Sequence, residues 1–349
     1  IKFGGLLAST LHARDEEFMA GRYLFAQDPL KGLKTVVNQG RLQVSEHGFV
    51  ILAAPAVSNE GLIVANLGTT VLGSGQQLTV DLMGDGLINY ALAGKVLEHV
   101  TGVDEPASGS AVKNSGTIHA DGGQVILQAS AAGDIFSSVV NQSGVIRARS
   151  LTHEDGIVRL DGGDSGQVTV AGTIDASGPA SGQTGGRVSL LGESVTLTPT
   201  ARIDVSGAGG GGTALIGGQF QGRGTEPTAT TTLVADRASI SADALTQGTG
   251  GTVIVWADGH TQYAGTISAQ GGASGGHGGF VEVSGKQALD FTGRVDTTAP
   301  AGRTGTLLLD PSNITISSAA NANISAAPTF TGTTATSTLN VTTLQTALA

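Results

Sequence analysis

The stretch Gly265–Gly285, "GTISAQGGASGGHGGFVEVSG", decides the fold. Eight of its 21 residues are glycine, a proportion that suits a flexible linker, yet Ile267 stands near one end and Phe280-Val281-Glu282-Val283 near the other. A Gly/Ser linker carries no apolar residues at places that recur along the chain. Here they recur. Openings of one kind appear as "NQGRLQV" at Asn38, "NEGLIVA" at Asn59, "NSGTIHA" at Asn114 and "NQSGVIRA" at Asn141. They continue as "AGTIDASG" at Ala171, "ARIDVSG" at Ala201, "AGTISAQG" at Ala264 and "TGRVDTT" at Thr292. Apolar runs follow them: "GFVILAA", "GQVILQA", "GIVRLDG", "GRVSLLG", "GTVIVWA" and "GFVEVSG".

Gly40 and Gly61, Gly116 and Gly144, Gly144 and Gly172, and Gly265 and Gly293 are separated by 21 to 28 residues. Within the runs the apolar residues alternate, Val281 and Val283 against Glu282, which is the two-residue period of a strand. The glycines fall between strands, where positive φ or close backbone approach is needed. Two short strands and Gly-rich corners per unit predict the coil of a parallel β-helix, with coils stacked at roughly 4.8 Å. A β-propeller is the competing repeat fold, but its blades need about 40–45 residues and aromatic signatures that are missing here. The alternation places Val125, Leu127, Val188, Leu190, Val253, Val255, Val281 and Val283 on an inward face. It also puts Ile267 inside and Ser268 outside. Asn38, Asn59, Asn114 and Asn141, one per unit, suit an internal ladder of amides at a corner.

Composition agrees with a thin, regular core. Apolar residues make up 39% of the 349 but aromatic ones only 4%, so Val, Ile, Leu and Ala must fill the interior. Charged residues are only 13%, which is not the composition of an unfolded tail. The net charge is −10 and Lys and Arg are scattered singly, which argues against a nucleic-acid surface. With no cysteine, disulfides, iron–sulfur clusters and thiolate zinc sites are excluded. No apolar run reaches the length of a membrane-spanning helix, about 18 residues. The opening "IKFGGLLAST" has neither the basic start nor the apolar stretch of a signal peptide, and it lacks an initiator Met, so a processed or internal start is expected.

Two flanks depart from the rhythm. In "STLHARDEEFMAGRYLF", Ser9 or Thr10 is a candidate cap for a short helix carrying Asp15 to Glu17. Residues 317–349 are rich in Thr, Ala and Ser and predict an extension ending in a short helix through Val341, Leu344 and Leu348.

"GGLLAST" (Gly4–Thr10), "EEFMAGRYLF" (Glu16–Phe25), "VSNEGLIVA", "DLMGDGLINY" and "GTLLLDPSNITI" (Gly305–Ile316) together resemble the filamentous haemagglutinin family of two-partner-secretion exoproteins. The resemblance covers nearly the whole chain. The family's Asn-Pro-Asn-Gly-Ile-type motif, normally just upstream of "GGLLAST", is missing, so a chain beginning inside the secretion domain is expected. The resemblance implies a right-handed β-helix exported across the outer membrane of a Gram-negative bacterium by a partner β-barrel transporter, then secreted or held at the cell surface. It implies adhesion to host or bacterial surface molecules or glycans, aggregation into fibres, or biofilm roles, and supplies no catalytic residues. It divides the chain into 1–100, the remainder of a secretion domain, 101–316, the β-helix repeats, and 317–349, the extension. Missing cysteines fit passage through an oxidising periplasm, where a disulfide loop would obstruct threading.

Several patterns resemble functional sites. Asp81 and Asp85 before Gly86 hint at a calcium loop, but the alternating ligands and the closing Glu of that motif are missing, and Asp-Gly is a turn signal. Asp161 and Asp175 suggest carboxylates on one face of successive coils, the arrangement of a polysaccharide-active β-helix enzyme. Such enzymes carry long loops with Lys, Arg or His beside the acids, and the loops here are short and Gly-rich, which argues against it. "GAGGGGTALIGG" (Gly207–Gly218) has the glycines of a calcium nonapeptide without its aspartate, and "GGASGGHGGF" places His277 where that aspartate would be. His12, His47, His119, His153, His260 and His277 are dispersed, without zinc spacing. Trp256 is expected on an outer face or a coil end. Asn141, Asn313, Asn323 and Asn340 head glycosylation sequons of a kind common by chance in Thr-rich sequence. The sequence therefore assigns no catalytic, cofactor-binding or metal residue, and the expected protein is a structural adhesin or filament subunit, not an enzyme. Exposed coil ends, with unpaired strands, would favour contact between copies.

Overall fold

A computed structural model describes residues 2–13, 15–21, 23–81, 89–97, 100, 109–131, 136, 138–151, 154–310, 314–317 and 337–340. It is a right-handed parallel β-helix. Each coil has three strands rather than the two expected from the repeat. A representative coil runs through Gln167–Val170, Thr173–Asp175 and Arg187–Leu191. The middle strand is only three residues long, too short to stand out as a separate alternating run. First-wall strands form a nine-stranded sheet, one from each coil, so nine coils stack from Thr35 to Leu309. The second and third walls share an 18-stranded sheet that includes Lys2–Ser9, paired with Arg41–Ala54.

In-register stacking turns each position of the repeat into a column. Ile63, Ile118, Ile146, Ile174, Ile203, Ile240 and Ile267 form one isoleucine column in the second wall, all essentially buried. All eight residues expected to face inward from the third wall are fully buried. The glycines that open the second wall are explained by close approach, whereas others, such as Gly248 and Gly276, also take positive φ. A Cβ on Gly116, Gly144 or Gly172 would lie 2.0–2.2 Å from the carbonyl oxygen of the corresponding glycine one coil earlier.

A first-wall column changes chemistry along the rod. Asn38 Nδ2 donates to Asn59 Oδ1, Asn59 Nδ2 to Asn114 Oδ1 and Asn114 Nδ2 to Gln142 Oε1, each at 2.7 Å. The last rung is thus Gln142, not Asn141, which lies one residue out of register with the ladder. Gln142 ends the ladder by donating to the carbonyl of Gly144 at 2.9 Å. The column then continues as Val170, Leu197 and Val234, and finishes with Tyr263 stacked on Phe291 at 5.2 Å.

The flanks differ from expectation. A five-residue helix, Asp15–Met19, is present, but Ser9 and Thr10 do not cap it. Ser9 Oγ accepts from the Leu11 amide, and Thr10 Oγ1 donates to the Lys34 carbonyl. The long gap between Gly61 and Gly116 holds the strands Gln77–Asp81 and Asn89–Ala93. These join His12–Ala13 and Tyr23–Ala26 in an antiparallel four-stranded sheet outside the helix. Ile314–Ser317, at the end of the repeats, pairs in parallel with Ser337–Asn340 of the extension. The helix expected through Val341, Leu344 and Leu348 lies outside the described residues.

Candidate binding surface

Third-wall strands such as Ile157–Asp161 alternate between core and solvent, but two adjacent strands further along are apolar on both faces. Thr213–Ile216 contains Leu215, Thr252–Ala257 contains Ile254 and Trp256, and all three side chains point outward yet are buried together. Outward apolar residues on adjacent coils need a cover. Residues 217–230, between Thr213–Ile216 and Thr231–Val234, supply it by folding back over the wall.

Glycine makes this cover fit. A Cβ on Gly218 would lie 2.9 Å from Trp256 Cδ1, and one on Gly222 would lie 2.6 Å from its Cε2. Gln221 and Gly222 both have left-handed φ, 55° and 62°, inside the short 3-10 turn Phe220–Gly222. Trp256 Nε1 donates to Asp258 Oδ1 at 3.3 Å, and Asp258 Oδ2 also accepts from Thr228 Oγ1 of the cover. Trp256 is therefore on the outer face, as expected, but 4% exposed. Glu282, expected to face solvent, is buried under the same cover, where both its carboxylate oxygens accept from the Gln221 amide at 3.1 and 3.3 Å. Burial pushes its pKa up.

Beside the cover lies an open groove of about 550 Å³. Leu215, Ile254, Phe280 and Phe220 form its apolar floor and wall, with Phe220 edge-on to Phe280 at 5.7 Å. Arg187 and Arg223 line it as well and are exposed. Neither guanidinium has a hydrogen-bond or ion-pair partner among the described residues, although Arg147, Arg149 and Arg159 are all paired. Sequence reasoning missed this surface. The available signal was the continuous apolar runs "ALI" and "VIVW", which break the alternation.

The two carboxylates singled out from the sequence are not brought together. Asp161 lies on a third-wall strand and binds Arg159 at 2.8 Å, while Arg159 also reaches Glu226 of the cover at 2.7 Å. Asp175 lies on the second wall, bound by Arg149 at 2.7 Å and Ser177 Oγ at 2.6 Å. Asp175 belongs instead to a polar stripe at the second-wall corner. There Asp121 pairs with Arg147, Asp243 accepts from Ser268 Oγ and the Gln270 amide, and Asp296 accepts from Thr298. Ser268, expected to be free on the outside, is therefore half-buried and hydrogen-bonded to a carboxylate. His260 Nε2 pairs with Asp290 at 2.9 Å, and His277 Nδ1 accepts from the Arg303 amide. Among the described residues no three His, Asp or Glu side chains gather in a metal-binding group. Asp85, His153, Asn313 and Asn323 lie outside the described residues, and Asp81 and Asn340 are described only by their backbone.

No family model and no curated sequence matches the chain. Among solved structures it is similar to the HMW1 secretion domain from Haemophilus influenzae. The two share 28% identity, with a TM-score of 0.66 over 89% of this chain and 75% of that one.

Proposed function

We propose, from the premise that this chain belongs to the two-partner-secretion exoproteins of the filamentous haemagglutinin family, that it is the rod of an adhesin. Such an exoprotein is secreted from a Gram-negative bacterium with the help of an outer-membrane transporter. The observation that carries the reading is the uninterrupted stack of nine coils, similar over most of its length to a secretion domain. A stiff rod with repeated outer faces suits many shallow contacts, individually weak but additive when several engage at once. In this reading the rod stays at the cell surface and contacts host or bacterial surface molecules, glycans included, and residues 1–100 serve export more directly than the coils from 101 to 316. The separate arginines of Asp161 and Asp175 favour a structural role for these carboxylates over acid–base chemistry.

The test pairs two assays on purified protein: retention on a panel of epithelial and bacterial cells, and release of reducing ends from acidic and neutral polysaccharides. Cell retention without release is expected. Release that disappears in Asp161→Asn or Asp175→Asn would replace the adhesin with an enzyme.

A further inference from the structure

The groove beside Phe220 and Phe280 has a chemical counterpart on the same chain. At the opposite end of the rod, outside the first coils, the Asp15–Met19 helix presents Asp15, Glu16 and Glu17 beside two exposed apolar side chains. Phe18 is 50% exposed and Met19 83%, among the most exposed large apolar residues described. The groove offers the complement: an apolar floor with two unpaired arginines, on a chain whose net charge is −10. An acidic surface that leaves two arginines unpaired around an apolar hollow is arranged for an acidic, apolar-tipped partner.

We propose that the groove receives the Asp15–Met19 helix of a second copy of this chain. Phe18 and Met19 pack over Leu215 and Ile254 beside the Phe220–Phe280 pair, and the carboxylates of Asp15 and Glu16 meet Arg187 and Arg223. Because the two surfaces differ and lie at distant coils, the contact is heterologous: each copy keeps one free groove and one free helix, so copies add in one direction without a closing symmetry. The left-handed backbone at Gln221 and Gly222 and the packing of Gly222 on Trp256 hold the groove's edge in place before any partner arrives, which lowers the ordering cost of binding. The contact extends the reading of the chain as an exported rod, but stands on charge and shape independently of adhesion.

The experiment follows the mass of the full chain by sedimentation velocity against concentration and salt. The wild-type protein is expected to form a concentration-dependent series of oligomers that shortens as salt rises. A groove variant, Arg187→Glu with Arg223→Glu, and a helix variant, Phe18→Ser with Met19→Ser, should each weaken association by roughly tenfold or more, as for the loss of a central contact. Mixed in equal amounts, the two variants should form dimers and nothing longer, since only one groove and one helix remain functional. Combining Glu16→Arg with Arg223→Glu should restore part of the association. A monomeric wild type, or oligomers indifferent to both variants, would overturn the proposal. So would a monomeric wild type whose cell retention is lost with the groove variant, because the occupant would then be foreign. Cell retention by monomeric variants would show adhesion intact while this contact is tested separately.

Discussion

At the scale of the residue, the glycine that recurs at the start of the second wall has a steric cause. Gly144 does not need positive φ; it needs to have no Cβ, because the Gly116 carbonyl would stand 2.1 Å from one. Gly144→Ala is therefore expected to cost about 3 kcal/mol, since the obstacle is backbone and cannot swing aside. Gly32→Ala, where a Cβ would meet nothing within 4 Å, should stay within about 0.5 kcal/mol. Urea midpoints of the two variants check the contrast, and equal shifts would remove the steric account. The amide ladder follows the same logic of repetition. A buried amide is tolerated at Asn59 only because it both accepts from Asn38 and donates to Asn114, so each rung satisfies the next. Where hydrogen-bonding side chains stop at Gln142, the column turns apolar at Val170.

At the scale of the element, register decides which neighbours tolerate charge. Ile267 is fully buried in the isoleucine column, so Ile267→Asp should cost several kcal/mol, on the order of 4, by placing a carboxylate with no partner in the core. Thr266→Asp, on an exposed side chain, should be close to neutral. Ser268→Asp falls between them, at about 1–2 kcal/mol, because the new carboxylate would replace the donor to Asp243 and repel it. Melting curves of the three should rank in that order; equal tolerance at 267 and 266 would refute the register. The cover over the third wall makes a second prediction. Burial raises the folded-state pKa of Glu282 above its ordinary value of 4.5. The folded protein therefore holds that proton more tightly than the unfolded chain does. The stability contributed by protonation is fully present below about 4.5 and is lost as pH rises through the raised value. Glu282→Gln should thus gain stability relative to wild type on going from pH 4 to pH 7, measured as the difference in Tm. A difference that stays flat across that range would mean the carboxylate is not desolvated in solution.

At the scale of the whole molecule, the rod is a one-dimensional stack, and its outer third wall is apolar in two places. Near one end Ile51, Val71 and Ile126 lie under the antiparallel sheet that includes Tyr23–Ala26. Further along, Leu215 and Ile254 lie under residues 217–230. Between them the same register position carries Arg159 and Ser189, and Arg159 reaches into the second cover through Glu226. Since each coil touches mainly its neighbours, damage should spread locally. Ile174→Ala is expected to speed hydrogen exchange first in the coils that include Ile146 and Ile203, with little change near Ile267 or Ile63. Exchange that accelerates uniformly along the chain would indicate one global unit instead.

The sequence by itself determined the repeat, the inward residues of the third wall and the polar nature of the Asn column, because in-register stacking copies each local choice into every coil. The three-residue second wall was not legible as a strand of its own, being shorter than one clear period of alternation. Asn141 has the residue type of a rung but not its register: one residue's shift turns a side chain to the other face, and Gln142 is the residue in line. What only the tertiary structure decided lies on the outside. Whether Glu282 and Trp256 face water depends on residues 217–230, and Ser268 is held by Asp243 from the neighbouring coil. No local pattern encodes a cover folding back from another segment. The groove with Arg187 and Arg223 exists only where that cover, two phenylalanines and strands of separate coils meet.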